Sequence, residues 1–205
     1  MKINRASPKA IKYACMKFHY AKSVPASKYA FNIFNNNNDW CGVIIYGQGA
    51  NNKIGCPFGL YQGEVIELVR VALNGKQEKT SQAVAMTLRE LHKTVPHVKV
   101  IVSYADLDQN HAGTIYQATN WIYLGKFNEN NLGDFIIHGK KTHRRIVHTK
   151  GIKSNIEAVR KYIDPRATVL RTKGKHKYIF VFDKNLRKKW LKQSKPYPKK
   201  IEVIN

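Results

Sequence analysis

Acidic residues are scarce in this 205-residue chain: 13 Asp and Glu stand against 36 Lys and Arg, a formal net charge of +23. Solubility asks for a net charge of only about 2 to 8 units, so an excess this large points to a polyanionic partner, nucleic acid first. Cysteine is scarce too. Cys15, Cys41 and Cys56 are odd in number and lack metal-finger spacing, which argues against a disulfide framework or a zinc finger. They read as reduced thiols in a cytoplasmic protein. Long apolar runs are missing: "CGVIIYG" and "VKVIVSYA" are strand-sized, far short of a bilayer crossing. "MKINRASPKA" lacks the apolar core of a secretion signal, and no long amphipathic helix offers itself to a membrane surface. Neither an internal repeat nor a "GxxxxGK" phosphate loop is present.

What is present suits one well-buried core. The hydrophobic content of 43% is near the globular norm, and the length allows a single domain with a small appendage. Ser7 and Pro8 mark a helix start, with Ile11, Ala14, Cys15 and Phe18 on one face. "KYAFNIF" and "WCGVIIYG" flank "NNNND" as a hairpin would. "EVIELVRVAL" reads as a strand and "SQAVAMTLRELHKTV" as a helix with a buried stripe of Val84, Leu88, Leu91 and Val95. "VKVIVSYA" is apolar enough for a strand covered on both faces, and a short helix follows over 112–119. The pattern predicts an α/β fold, a mixed central sheet flanked by helices, in one domain spanning 1–205. Its core would run over about 8–139. Residues 140–205, holding "KKTHRRIVHTKGIKSN", "RTKGKHK" and "KNLRKKWLKQ", would form a basic C-terminal extension with a helix at "SNIEAVRKYI" and a hairpin at "ATVLRTKGKHKYIFVFD".

Ligands of open α/β sheets gather at the carboxyl ends of strands, and anions at helix N-termini. Thr80 and Ser81 open such a helix after a loop carrying Lys76 and Lys79, although either residue would serve equally as a plain cap. Arg70 lies within an apolar strand and needs an anionic partner, a role Glu67 can fill. Asp106 ends the strand "VKVIVSY"; as a turn or helix cap it competes with Asp108 and Asn110. Tyr116 has the default reading of a core aromatic, and His19 and Tyr20 that of a helix terminus.

Taken together, "HY", "ELVRVAL", "TSQAVAMTLREL" and "SYADLDQNHAGTIYQATNWIYLG" resemble the Mom family of phage DNA-modification enzymes, divergent members of the GNAT-type acyltransferase fold. The likeness covers roughly residues 18–125 and is densest in "SYAD…H.GTIYQATNW". It implies an enzyme that uses acetyl-CoA to convert adenine in double-stranded DNA to N6-(carbamoylmethyl)adenine. In the host cytoplasm that mark hides phage DNA from restriction enzymes. Residue by residue, the resemblance places Arg70 and Ser81, with Thr80 beside it, at the acetyl-CoA site. It makes Asp106, Tyr116, His19 and Tyr20 functionally required, and His19, Tyr20 and Asp106 candidate ligands of iron. One nitrogen and two oxygen donors suit a first-row metal; His111 is a further ligand candidate or a cap. The single Gly75 departs from the Gly-rich pyrophosphate loop of ordinary GNAT enzymes. Lys140, Lys141, Arg144 and Arg145 are the expected DNA phosphate contacts. Trp121 or Tyr61 could stack on a flipped base, with core packing as the alternative. The oligomeric state is open, a homodimer included. Two rival readings remain: an ordinary acetyltransferase acting on an RNA base or a protein amine, and a non-enzymatic nucleic-acid-binding protein.

Overall fold

The computed structural model describes residues 1–49, 51–127 and 133–199. These fall into two compact units. One comprises Met1–Ala105, Ala112–Gly125 and the chain from Lys177 onward; the other comprises Asp106–His111 and Lys126–His176.

The first unit is built on a seven-stranded sheet. Its strands are β1 (Lys2–Arg5), β2 (Tyr29–Phe34), β3 (Trp40–Gly47), β4 (Val65–Leu73), β5 (Val100–Asp106), β6 (Ile122–Phe127) and β10 (Lys175–Val181), in the order β1-β2-β3-β4-β5-β10-β6. The expected β2–β3 hairpin forms. Asn35 closes its tip, donating its amide to the Asp39 carbonyl at 3.0 Å and accepting from the Asp39 amide through its side chain at 2.8 Å. Asn38 takes the left-handed conformation that Asn tolerates, with φ 67°. The asparagine run is thus turn chemistry.

Two helices cover opposite faces. Ser7 caps α1 (Pro8–Phe18) by accepting from the Ala10 amide, and Ile11, Ala14 and Cys15 pack on Val43, Ile45 and Ala72. The alternate residues Ile44 and Tyr46 face α2 (Thr80–Thr94), whose stripe of Val84, Leu88, Leu91 and Val95 is buried as expected. Because successive strand side chains point to opposite faces, α1 and α2 sandwich the sheet. Tyr46 donates or accepts a 2.7 Å bond with Thr87 inside this layer.

The C-terminal part does not follow the expected division near residue 139. "KYIFVF" is the one continuous apolar run in a basic stretch, and it enters the main sheet as β10. It runs antiparallel to β5, with Leu107 N donating to Gly174 O at one end and Phe182 N to Lys99 O at the other. The expected hairpin over 167–183 is therefore absent: β9 (Thr168–Val169) pairs instead with β7 (Phe135–Ile137). The charge on either side of β10 masked a strand that fits the middle of a sheet. After β10 comes α6 (Lys184–Leu191), capped by Asp183, and α3 (Thr114–Gln117) precedes β6.

The second unit holds a three-stranded sheet, β8 (Lys140–Thr142), β7 and β9, with α4 (Arg144–Thr149) and α5 (Ile156–Tyr162). Phe135, Ile137, Val147, Val159 and Ala167 form its small core.

The position of β10 carries a prediction. Tyr178, Ile179 and Val181 are 0%, 0% and 3% exposed, and burying each such side chain is worth about 1.5–3 kcal/mol. Their combined loss rivals a typical total stability of about 5–15 kcal/mol. A chain ending at Gly174 should therefore show no cooperative melt by circular dichroism, whereas the full chain should.

Candidate functional site

β4 and β5 run parallel but pair only at Val65–Val100, Ile66–Ile101 and Glu67–Val102. Beyond that point they diverge, and the Leu68 carbonyl loses an inter-strand partner. Ser103 Oγ lies 2.9 Å from that carbonyl and 2.8 Å from the Tyr116 hydroxyl. Ser103 has one proton; given to Leu68, it leaves the phenol as donor in the second bond. Tyr116 reaches this point from α3, whose N-cap is Gly113 with φ 75°. A side chain there would be strained and would meet the Tyr178 ring at 2.4 Å. Trp121 and Tyr178 pack on the Tyr116 ring at 5.0 and 5.1 Å. Burial, and after it the Tyr20 and Glu67 side chains, push the Tyr116 hydroxyl up to about 12. At neutral pH the phenol holds its proton, as a buried hydrogen-bond donor and a reserve acid.

The N-terminus of α2 opens onto a cavity. Neither Thr80 nor Ser81 caps the helix: Lys79 is the N-cap and makes no side-chain cap bond, while Thr80 Oγ1 accepts from Gln77 at 2.9 Å. A helix leaves its first amides without intrahelical partners, and the positive end of its dipole favours anions. Ser81 lines a cavity of about 650 Å³ together with Gln82, Arg89, His92, Asn120 and Arg187. Phe180 and Phe182 give it an apolar floor, with His92 stacked on Phe182 at 4.7 Å and 14°. Arg187 donates to the Asn120 carbonyl at 2.9 Å. Its size falls within the range of ligand pockets.

Arg70 is not part of that cavity. Its guanidinium faces the α1 layer, where Nη1 lies 3.2 and 3.5 Å from the Nδ1 and Nε2 of His19, and Nη2 donates to Ser23 Oγ at 3.4 Å. It also lowers the thiol of buried Cys15, although burial dominates and leaves that thiol raised. The structure thus brings Arg70 to His19 and not to Ser81. Tyr20 stacks beside His19 at 4.2 Å and is half exposed.

The expected iron ligands do not fit a metal in this arrangement. His19 Nδ1 already accepts the Ala21 amide at 3.1 Å, and the Arg70 cation covers both ring nitrogens. Two positive charges at such separations repel. Among the described residues, no group of three or more His, Cys, Asp or Glu could hold a metal ion.

Asp106 and His111 group with the second unit. Asp106 accepts the Asp108 amide at 3.0 Å and so caps its own short turn, and its carbonyl takes the His111 amide at 3.0 Å. Asp108 clasps the 172–173 segment, accepting from Thr172 Oγ1 at 2.7 Å and Lys173 N at 3.0 Å. Burial raises its carboxyl, but these two bonds, with Lys141 and Lys173 nearby, hold it below the ordinary value. Of the expected phosphate contacts, Lys140 is exposed, and Lys141 is exposed while lying 3.5 Å from Asp134. Arg144 is half-buried, donating to the Ser154 carbonyl at 2.5 Å with its guanidinium over the Phe135 ring. The Arg145 side chain lies outside the described residues. Trp121 is fully buried, which leaves it no face for a base; Tyr61 is 86% exposed.

Ser103, Arg89, His92 and Arg187 escaped sequence reasoning as site residues. The signal for Ser103 was a lone hydroxyl inside "VKVIVSY"; the others carry none, since the cavity joins elements far apart in sequence.

A profile described as the Mom protein family matches residues 1–199. Comparison with curated proteins gave no match. Among solved structures, a point mutant of the spermidine N-acetyltransferase SpeG from Vibrio cholerae superimposes with TM-score 0.51 at 9% identity, covering 92% of this chain and 99% of its own. A second SpeG mutant gives 0.50 at 7% identity, covering 88% and 92%. An acetyltransferase from Bacillus subtilis in complex with CoA gives 0.49 at 8% identity, covering 89% and 99%. The fold is that of the GNAT acetyltransferases.

The buried phenols predict alkaline behaviour. Tyr116, Tyr104 and Tyr178 are each raised from 10.0 to about 12, first by burial. Above pH 10 the unfolded chain loses these protons while the folded chain keeps them, so stability is intact below pH 10 and falls towards pH 12. The loss from fully buried Tyr116 is on the order of 2 kcal/mol at the upper end, and that from the other two is smaller because solvent screens them. Urea melts should show this decline, and Tyr116→Phe should flatten it.

Proposed function

The chain belongs to the Mom protein family, and on that footing we propose that it is a transferase that takes acetyl-CoA and modifies adenine in double-stranded phage DNA to N6-(carbamoylmethyl)adenine. The reading places the protein in the host cytoplasm, where the mark would block restriction enzymes. The observation that carries it is the parting of β4 from β5, with a protonated Tyr116 in the opening and the uncapped N-terminus of α2 beside a cavity of nucleotide size.

In this reading the pantetheine arm enters between β4 and β5, where strand edges offer unpaired backbone groups. The pyrophosphate lies on the first-turn amides of Thr80, Ser81 and Gln82, which take the place of a Gly-rich loop. Arg89 and Arg187 flank the remaining phosphate, and Phe180, Phe182 and His92 offer flat surfaces to the adenine ring. The target base must leave the duplex to reach the opening, while Lys140, Lys141 and the wider basic charge hold backbone phosphates.

The product sets a chemical requirement. Its new bond joins N6 to the acetyl methyl carbon, which removes two electrons and two protons overall, and a nitrogen donor then displaces the CoA thiol. In this reading Tyr116 returns a proton to the departing thiolate. The oxidation needs a two-electron acceptor of the class of dioxygen; iron, which the resemblance implies, exchanges one electron at a time and would serve only as a relay to it. The iron's ligands would have to exclude the His19 ring nitrogens that Arg70 covers, and no residue role here depends on it. Plain amine acetylation, the chemistry named for the SpeG structures, is the second reading; it would use the same donor site and leave an acetyl group.

Genomic DNA from bacteria expressing the protein should release a deoxyadenosine heavier by one carbamoylmethyl group on nucleoside mass spectrometry. Asp106→Ala and Tyr116→Phe should abolish it. Acetyladenine in its place would mean plain acetyl transfer to DNA, and unmodified DNA with folded protein would defeat the DNA reading and promote acetylation of an RNA base or a protein amine. Lys140→Glu with Lys141→Glu should lower the log–log salt slope of duplex binding by about 1.8, at roughly 0.9 per phosphate contact.

A further inference from the structure

Arg70 presents an unusual balance. It carries a full positive charge in the middle of an apolar strand, is only partly exposed, and its buried Nε has no hydrogen-bond partner. Its remaining bonds go to an imidazole and a hydroxyl, and among the described residues it forms no ion pair. A half-buried guanidinium without a counter-anion is costly. The carboxyl end of α1 is nearby, but its partial negative charge is already engaged: Lys22 Nζ donates to the Lys17 carbonyl at 3.0 Å. Lys22 reaches it from a tight turn, its amide on the His19 carbonyl at 3.2 Å and its φ at 44°. That turn sets His19 and Ser23 on either side of the guanidinium.

The two contacts are unequal. The His19 bond at 3.2 Å fixes the guanidinium plane, because Nδ1 is itself held by the Ala21 amide. The Ser23 contact at 3.4 Å is long and weak. Displacing it frees Nη2 for a phosphate oxygen, next to the buried Nε that still lacks an acceptor. The node therefore suits an anion where a metal cation was expected.

We infer that Arg70, braced by His19 and flanked by Ser23, is an anion site that holds a backbone phosphate of the nucleic-acid acceptor, on the face of β4 away from the acetyl-CoA cavity. The inference rests on the proposed DNA substrate. It assigns Arg70 to the acceptor and separates it from Ser81, which stays with the donor. The phosphates of CoA share the same chemistry, so the test must tell the two sources apart.

Duplex binding is followed by fluorescence anisotropy across a salt series, and acetyl-CoA binding by calorimetry, in wild type, R70Q and R70K. R70Q should bind duplex about tenfold more weakly with a log–log slope smaller by about 0.9. R70K should keep the slope, and acetyl-CoA affinity should be unchanged in both. An unchanged duplex slope, or a loss of acetyl-CoA affinity, in R70Q overturns the inference and leaves the DNA reading standing. A wild-type protein that binds no duplex defeats the DNA reading, and this assignment with it. A measurement on wild type guards against misfolded variants: duplex should shield Arg70 from phenylglyoxal, read by peptide mass spectrometry, and acetyl-CoA should not. Shielding by acetyl-CoA alone would contradict the assignment.

Discussion

Parallel strands β4 and β5 cannot both pair along their lengths and leave room for a ligand, and this chain resolves the conflict after Glu67 and Val102. Each backbone group freed by the divergence must find a partner or face a desolvation penalty of about 1–3 kcal/mol. Ser103 answers for the Leu68 carbonyl and ties Tyr116 to the same point. The opening is therefore not a packing defect. It is held by two hydroxyls, and the ring cluster of Tyr116, Trp121 and Tyr178 behind them keeps the phenol dry and protonated.

From that opening the two faces of β4 acquire different chemistry. Towards α2 lie the uncapped helix start and a cavity with an aromatic floor and two arginines. Towards α1 lies Arg70, held by His19 and, among the described residues, in no ion pair. In the proposed reading the first face takes the donor and the second takes the acceptor. A strand whose alternate residues serve two substrates follows from the period of two, since neighbours along β4 cannot face the same layer.

Much of the fold was legible because its elements carry strong periodic signals. The α2 stripe, the β2–β3 hairpin with its asparagine tip and the two-face apolar run of β5 all appear as expected. β1 was missed because "KINR" has no apolar alternation, and it is stabilised by pairing with β2 at the sheet edge. β10 was misassigned because charge surrounds it, and its burial depends on partners some 75 residues upstream in β5, beyond the reach of local pattern. Tyr116 lies at the opening between β4 and β5, and Ser81 in the first turn of α2 beside the cavity. Arg70 does not accompany Ser81, because sequence order gives no way to see which layer a strand residue faces once a register shift intervenes between Ile45 and Tyr46. Within the crowd of polar residues at 106–111, Asp108 fastens the 172–173 segment and Asp106 caps a turn, pairings that sequence order alone does not specify.

The central claim is that donor and acceptor approach β4 from opposite layers. Hydrogen–deuterium exchange of the full chain, with and without acetyl-CoA, tests it directly. The account predicts protection at Thr80–Gln82 and at Ala118–Asn120, with no change at His19–Ser23. Protection at His19–Ser23 together with unaltered exchange in the first turn of α2 would contradict it.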